Sequence, residues 1–230
     1  MGKIKFGDID FSGDNSYIWG SGEYSAPERN VEFVSVQGRN GDLVIDHGNY
    51  KNISARYSVV VMGDVKKNTD RLKHLLYSQK GYQRLYDSER KGFYRMACFY
   101  KGYEMPRNKF GKMDIEFSCK PFWYDIFGDN KIDITEKTLI TNKYIVPSRP
   151  SIKIYGTGDC LLLIGEQPIN ISNLDEYIVI DTEMQESYKD NVNMNHIVDN
   201  MDVVIPVGKS EIFWVGGIER VEIIPRWVTL

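Results

Sequence analysis

Val36-Gln37-Gly38-Arg39-Asn40-Gly41-Asp42-Leu43 reads as the turn of a β-hairpin. Asn-Gly flanked by apolar residues is the strongest short-range hairpin signal a sequence offers. Glycine at 38 and at 41 lets the backbone take a positive φ where a side chain would clash. Val31-Glu32-Phe33-Val34-Ser35-Val36 runs into the turn and Leu43-Val44-Ile45 runs out of it. A second turn signal follows at once in His47-Gly48-Asn49-Tyr50-Lys51-Asn52. Strand and turn signals of the same kind recur on both sides, so the hairpin sets a mainly β reading.

On the N-terminal side, residues 3–6 alternate and predict a short strand. Residues 7–30 are rich in Gly, Ser, Asp and Asn and predict a long loop, broken by the apolar patch Tyr17-Ile18-Trp19. Loops of that length tend to be functional or to order on a partner. On the C-terminal side, Arg56–Met62 predicts a strand. The spacing of Leu72, Leu75 and Leu76 predicts the one good helix, over 68–80, capped by Asn68 or Thr69 and stopped by Gly81. Tyr82–Tyr86 resumes a strand. Phe93–Tyr103 is apolar on both parities, which suits a central strand or one covered by a neighbouring subunit. Met113, Ile115, Phe117 and Cys119 alternate with polar residues up to Pro121.

Composition then shifts. Residues 131–150 are polar and Thr-rich, with Pro147 and Pro150, and read as a linker or an exchange strand. Residues 151–230 give eight short strands separated by turns such as Gly156-Thr157-Gly158 and Gly165-Glu166-Gln167-Pro168. Regular short strands without a helix predict an antiparallel sandwich. The expected division is therefore 1–130, a linker over 131–150, and 151–230.

At 230 residues the chain is long enough to bury roughly 70–75% of its extended surface. The net charge of -3 hides an asymmetry. Residues 1–130 hold 20 Lys and Arg against 17 Asp and Glu, an excess of +3, and residues 131–230 hold 9 against 15, which gives -6. Neither half is basic enough for a dedicated nucleic-acid binder. Cys98, Cys119 and Cys160 form no CxxC, which argues for buried thiols rather than a disulfide framework. The N-terminus lacks the apolar core of a signal peptide, and no apolar run approaches the ~18 residues of a membrane span. The chain is expected to be made in a cytosol.

Site chemistry is sparse. His47, His74 and His196 lie at no metal-ligand spacing, and Asp8–Asp14 has only part of a calcium-loop pattern. No Gly-x-Ser-x-Gly elbow is present, and neither Gly20-Ser21-Gly22 nor Gly156-Thr157-Gly158 precedes a helix that could hold a phosphate. Glu166, Asp175, Glu176, Asp181, Glu183 and Glu186 fall at turns or outward positions. Sugar binding through Tyr155, Tyr177, Tyr188, Trp214 or Trp227 is the alternative function, with the two tryptophans placed in core contexts. No cofactor is expected and the chain does not read as an enzyme. What remains is an assembly protein.

An ordered set of segments carries a family likeness. It comprises Gly38–Leu43 with Gly48–Asn52, Tyr82-Gln83-Arg84-Leu85-Tyr86-Asp87, Phe110–Phe117 leading into Cys119-Lys120-Pro121-Phe122-Trp123, and the terminal Pro225-Arg226-Trp227. In order and spacing the chain resembles the distal tail proteins of long-tailed, non-contractile bacteriophages of Gram-positive hosts. The resemblance implies an N-terminal ring-forming domain with one helix, joined to a C-terminal galectin-like antiparallel β-sandwich. It implies a homohexameric ring in the virion, at the distal end of the tail tube. It also implies as partners the tail tube protein, the tail-tip or tail-associated lysin protein and receptor-binding or baseplate proteins. DNA would pass through the ring without being read, and no membrane would be engaged. The galectin-like likeness is one of fold and does not carry sugar binding with it. Ring contacts are expected from Arg39 and Asp42 beside the hairpin turn, from Tyr17 and Trp19 in the 7–30 stretch, and from Phe93 and Phe99 on the two-sided strand.

Overall fold

The structure is a computed structural model that describes residues 2–11, 15–104 and 111–230. The chain forms two compact units. The first runs to Trp123 and takes in Leu230, and the second is Tyr124–Thr229.

The first unit is built from β1 (Ile4–Phe6), β2 (Ile9–Asp10), β3 (Ser16–Ile18), β4 (Glu23–Tyr24), β5 (Arg29–Val34), β6 (Leu43–Tyr50), β7 (Ile53–Val61), α1 (Val65–Ser78), β8 (Gln83–Asp87), β9 (Phe93–Cys98) and β10 (Gly111–Cys119), and ends at the start of β11 (Trp123–Asp125). The main sheet has the order β2-β1-β8-β9-β10-β7-β3, with β4 also on β7. The alternation in β10 buries Met113, Ile115, Phe117 and Cys119. Its pairing with β7, from Gly111 opposite Val61 to Cys119 opposite Ile53, puts Ile53, Ala55, Tyr57, Val59 and Val61 on the same buried face. Phe117 packs at 4.7 Å from Phe6 and 6.2 Å from Tyr57. Burying a side chain of that kind is worth about 1.5–3 kcal/mol.

Three expectations change here. Residues 7–30 contribute β2, β3 and β4, because Ile9, Phe11 and Ile18 are buried in the core between the polar turns. The helix starts at Val65, since the Asp64 carboxylate accepts from the Lys67 amide at 3.2 Å and caps it; Asn68 instead donates to the Met62 carbonyl at 2.8 Å. Thr69, Leu72 and Leu76 form its buried face and Leu75 is exposed. The strand at 93 ends at Cys98, shorter than expected, and lies between β8 and β10. Its two-sided burial, with Tyr94 on one face and Arg95 and Ala97 on the other, is that of a central strand.

Strands β5 and β6 form a separate two-stranded sheet. Val34 pairs with Leu43 and Phe33 with Val44, so the connection is an eight-residue loop, Ser35–Asp42, rather than a two-residue Asn-Gly turn. The Arg39 amide donates to the Val36 carbonyl at 3.1 Å, and Gly38 and Gly41 both take positive φ. The turn signal at Gly48 is a kink inside β6, where its amide donates to Asp46 at 2.9 Å.

The second unit contains β12 (Ile132–Ile134), β13 (Thr138–Asn142), β14 (Ser151–Ile164), β15 (Gln167–Asp181), β16 (Glu186–Lys189), β17 (Val192–Asn193), β18 (Gly208–Ile224) and β19 (Val228–Thr229). Residues 131–150, expected as a linker or an exchange strand, hold β12 and β13, both paired to β18. The sandwich expected from short strands is built from one curled sheet in the order β12-β18-β14-β15-β16-β17. Pairs of expected strands are fused into long ones, while Val203–Ile205 makes a single bridge from Ile205 to Ser148. Glycines 156, 216 and 217 sit where β14 and β18 change register, and they let the two backbones approach too closely for a side chain. The inward residues, among them Ile152, Leu162, Ile169, Ile178, Ile212 and Val221, form one core.

Candidate assembly surface

The β5–β6 hairpin is an arm with no core of its own. Every residue from Arg29 to Tyr50 is exposed or half-buried. Phe33 is 64% exposed and Val44 54%, and Val36, Leu43 and Ile45 are exposed beside them. Neither strand pairs with any other among the described residues, so both edges of the arm are open. An exposed ion pair joins the two strands, Arg29 to Asp46 at 3.6 Å, the His47 ring lies 4.0 Å from the Glu32 carboxylate, and Lys51 meets Glu28 at 3.6 Å at the base. Such pairs contribute about 0–1 kcal/mol each. An isolated two-stranded hairpin is marginal in water. An apolar, open-edged arm of this kind reaches full stability when another surface covers it.

The six expected contact residues fall in three places. Arg39 and Asp42 are exposed on the arm loop, and among the described residues neither has an ion-pair partner. Tyr17 lies half-buried on β3, which pairs with β7 at one side of the main sheet, and Trp19 follows it, 60% exposed. Phe93 is half-buried under the Arg90 guanidinium, 5.2 Å from its ring centre. Phe99 lies in the core of its own unit against Tyr77, Tyr103 and Phe117. Its apolar parity signalled burial, and the covering groups belong to the same chain. Phe33, Leu43, Val44 and Ile45 went unnamed as contact residues. Their signal was an apolar run on both sides of a turn, which reads equally as a buried hairpin.

The aromatic face of the second unit tests the sugar-binding alternative. Tyr155 and Tyr177 lie side by side on β14 and β15 at 6.0 Å. The Arg220 guanidinium sits 3.9 Å from the Tyr155 ring centre, and Lys153 sits 4.0 Å from that of Tyr177. A sugar stacks on an open ring face, and cations lie over both of these. Trp214 and Trp227 pack against the core.

Among the acidic residues, Asp181 receives both Arg226 nitrogens at 2.8 and 2.7 Å. Burial pushes its carboxyl upward, but those bonds and the Met184 and Glu183 amides outweigh it and hold the group below the usual carboxylate range. A general acid needs the opposite shift. The pair instead stabilises the fold. Its contribution is fully present above the unfolded aspartate value of about 3.9 and is lost as the pH falls through the lower folded value. Asp181→Asn is expected to lower the urea midpoint near neutral pH and to remove part of the drop that the wild type shows below about pH 4. Equal acid sensitivity in both proteins would count against this role. Among the described residues no group of three His, Cys, Asp or Glu gathers as a metal site, and part of the Asp8–Asp14 stretch lies outside them. Among the described residues no helix is long and apolar enough to cross a membrane.

No protein-family model and no curated protein matches the chain. Its fold, mostly β with one α-helix among the described residues, is similar to that of a phage adsorption-apparatus hub protein. One solved structure with this likeness is the SPP1 Dit (gp 19.1) protein, described as a paradigm of the hub adsorption apparatus in phages infecting Gram-positive hosts. It is 11% identical, with a TM-score of 0.73 over 97% of this chain and 98% of that one.

Proposed function

We propose that this chain is a distal tail protein, a structural component of a phage virion. Six copies close into a ring at the end of the tail tube and form the hub on which the tail tip is mounted. The observation that carries this reading is the fold likeness along essentially the whole of both chains, joined to an exposed arm whose strands pair with no other strand among the described residues. A closed ring needs a head-to-tail interface in which one patch meets a different patch of the next copy. The arm supplies one such patch, with Phe33 and Val44 as apolar anchors and Arg39 and Asp42 as charges at its tip. The ring surrounds the path of the DNA, and the nearly balanced charge of residues 1–130 suits a channel that lets phosphates pass. The tube protein, the tail-tip or lysin protein and receptor-binding or baseplate proteins are the neighbours of such a hub.

Light scattering and negative-stain microscopy of the full-length protein test the reading. The expected result is a concentration-dependent six-copy ring in the wild type and a monomer for Phe33→Asp with an unchanged circular-dichroism spectrum. A wild type that stays monomeric at every concentration overturns self-assembly. A Phe33→Asp ring as stable as the wild type overturns the role of the arm.

A further inference from the structure

We propose that Asn40 at the tip of the arm is a self-modifying site, converting spontaneously to aspartate and isoaspartate. Asn40-Gly41 is the one Asn-Gly pair in the chain; every other asparagine is followed by a residue with a side chain. A following glycine matters because the reaction is an attack by the next backbone nitrogen, and a Cβ hinders that approach. The structure adds what the dipeptide alone does not. Asn40 and Gly41 are exposed in the Ser35–Asp42 loop, outside the paired strands. Nothing lies within 4 Å of where a Cβ on Gly41 or Gly38 would stand. The Asn40 carboxamide and the Gly41 amide take part in no hydrogen bond with the described residues, and the one backbone bond inside the loop runs from Arg39 to Val36. The nucleophile, the amide it attacks and the backbone between them are therefore free to reach the cyclising geometry.

The step balances as follows. Hydroxide removes the Gly41 amide proton and the nitrogen attacks Asn40 Cγ. The N–Cγ bond forms, the Cγ–Nδ2 bond breaks, and ammonia leaves with a proton taken from water. Water then opens the cyclic imide at either of its two carbonyls, giving isoaspartate if it attacks the Asn40 main-chain carbonyl and breaks that carbon's bond to the Gly41 nitrogen, and aspartate if it attacks Cγ and breaks the Cγ–N bond. One water is consumed and one ammonia released, with no change of oxidation state. Both products place a new carboxylate between Arg39 and Asp42, and isoaspartate also routes the main chain through Cβ and lengthens the loop by one atom. The modification stands on the geometry of the loop. Its consequence for assembly rests on the ring reading: an aged arm carries an altered tip and enters fewer rings.

Full-length protein is held at mildly alkaline pH in isotopically heavy water, and peptide masses are followed over time. The expected result is one leading acidic form, with heavy oxygen at position 40 and isoaspartate detected by enzymatic methylation. Asn40→Gln and Gly41→Ala are expected to lose that form. An Asn40 that stays intact while other asparagines convert overturns the proposal, as does an acidic form that persists unchanged in Asn40→Gln. Fresh and aged protein are then compared by light scattering. Aged protein that assembles normally overturns the consequence for the ring and leaves the modification in place.

Discussion

Trp123→Ala is expected to be among the most damaging single substitutions in the first unit, with a loss on the order of 4 kcal/mol. Trp123 is 2% exposed, so truncation removes a large buried ring and leaves a cavity. Size alone accounts for about 3–5 kcal/mol at such a site. The ring also does something a leucine could not. Arg95, on the central strand, is 4% exposed, and its Nε and Nη1 have no hydrogen-bond partner among the described residues. Its guanidinium lies 4.0 Å from the Trp123 ring centre and 5.0 Å from that of Tyr24. Arg90 approaches the same indole at 4.9 Å. Burial lowers the pKa of the Arg95 guanidinium, which is the mark of a cation short of solvent. The aromatic faces are what offset its desolvation, and a desolvated cation–π contact is worth about 2 kcal/mol. Removing the indole therefore strands a charge as well as opening a void. The two contributions separate in a double-mutant cycle with Arg95→Met, a change expected to be neutral or stabilising by itself. Urea unfolding of the four proteins should show Trp123→Ala costing less in the Arg95→Met background. An equal cost in both backgrounds would show that the ring acts by volume alone.

Gly217→Ala is expected to cost the second unit about 3 kcal/mol or more. A Cβ on Gly217 would lie far inside contact distance of the Thr157 carbonyl oxygen on β14. That obstacle is backbone, held in register on both sides, and cannot rotate away as a side chain can. Gly158 makes a useful contrast. It takes φ +79 but has open space around it. Gly158→Ala pays for the left-handed conformation alone, roughly 1–2 kcal/mol. Thermal unfolding should therefore rank Gly217→Ala well below Gly158→Ala. The reverse order would mean that conformation, not close approach, is what the glycines supply.

These glycines also explain where the sequence was legible and where it was not. Strict alternation at Met113–Cys119 gave β10 and its buried face without ambiguity, because a strand with one wet side leaves a period of two. At Gly156-Thr157-Gly158 the same rules predict a turn, since glycine ends most strands. Here it lets β14 and β18 continue past one another through a bulge, a tertiary use with no local signature. The helix start was missed because Asp64 and Asn68 are equally good caps on paper, and the geometry at Met62 chose between them. The 131–150 stretch reads as a linker or an exchange strand because β12 and β13 are short and half exposed and the residues around them are polar and charged. The arm was legible as a hairpin but not as an exposed one. Apolar residues at Phe33 and Val44 say that something covers them, and a single sequence does not say whose surface that is.

Fusing short strands into long ones also changes how the second unit can come apart. Two separately hydrogen-bonded sheets meet at a seam and can open there like a book, each cover intact. β14, β15 and β18 leave no seam, because the same backbones and the same ladder run through both halves of the core. To part the halves, the bonds at the bends must break as well as the side-chain packing. Local loosening at one end is resisted by covalent continuity with the other, and the unit is built to give way as a whole or not at all.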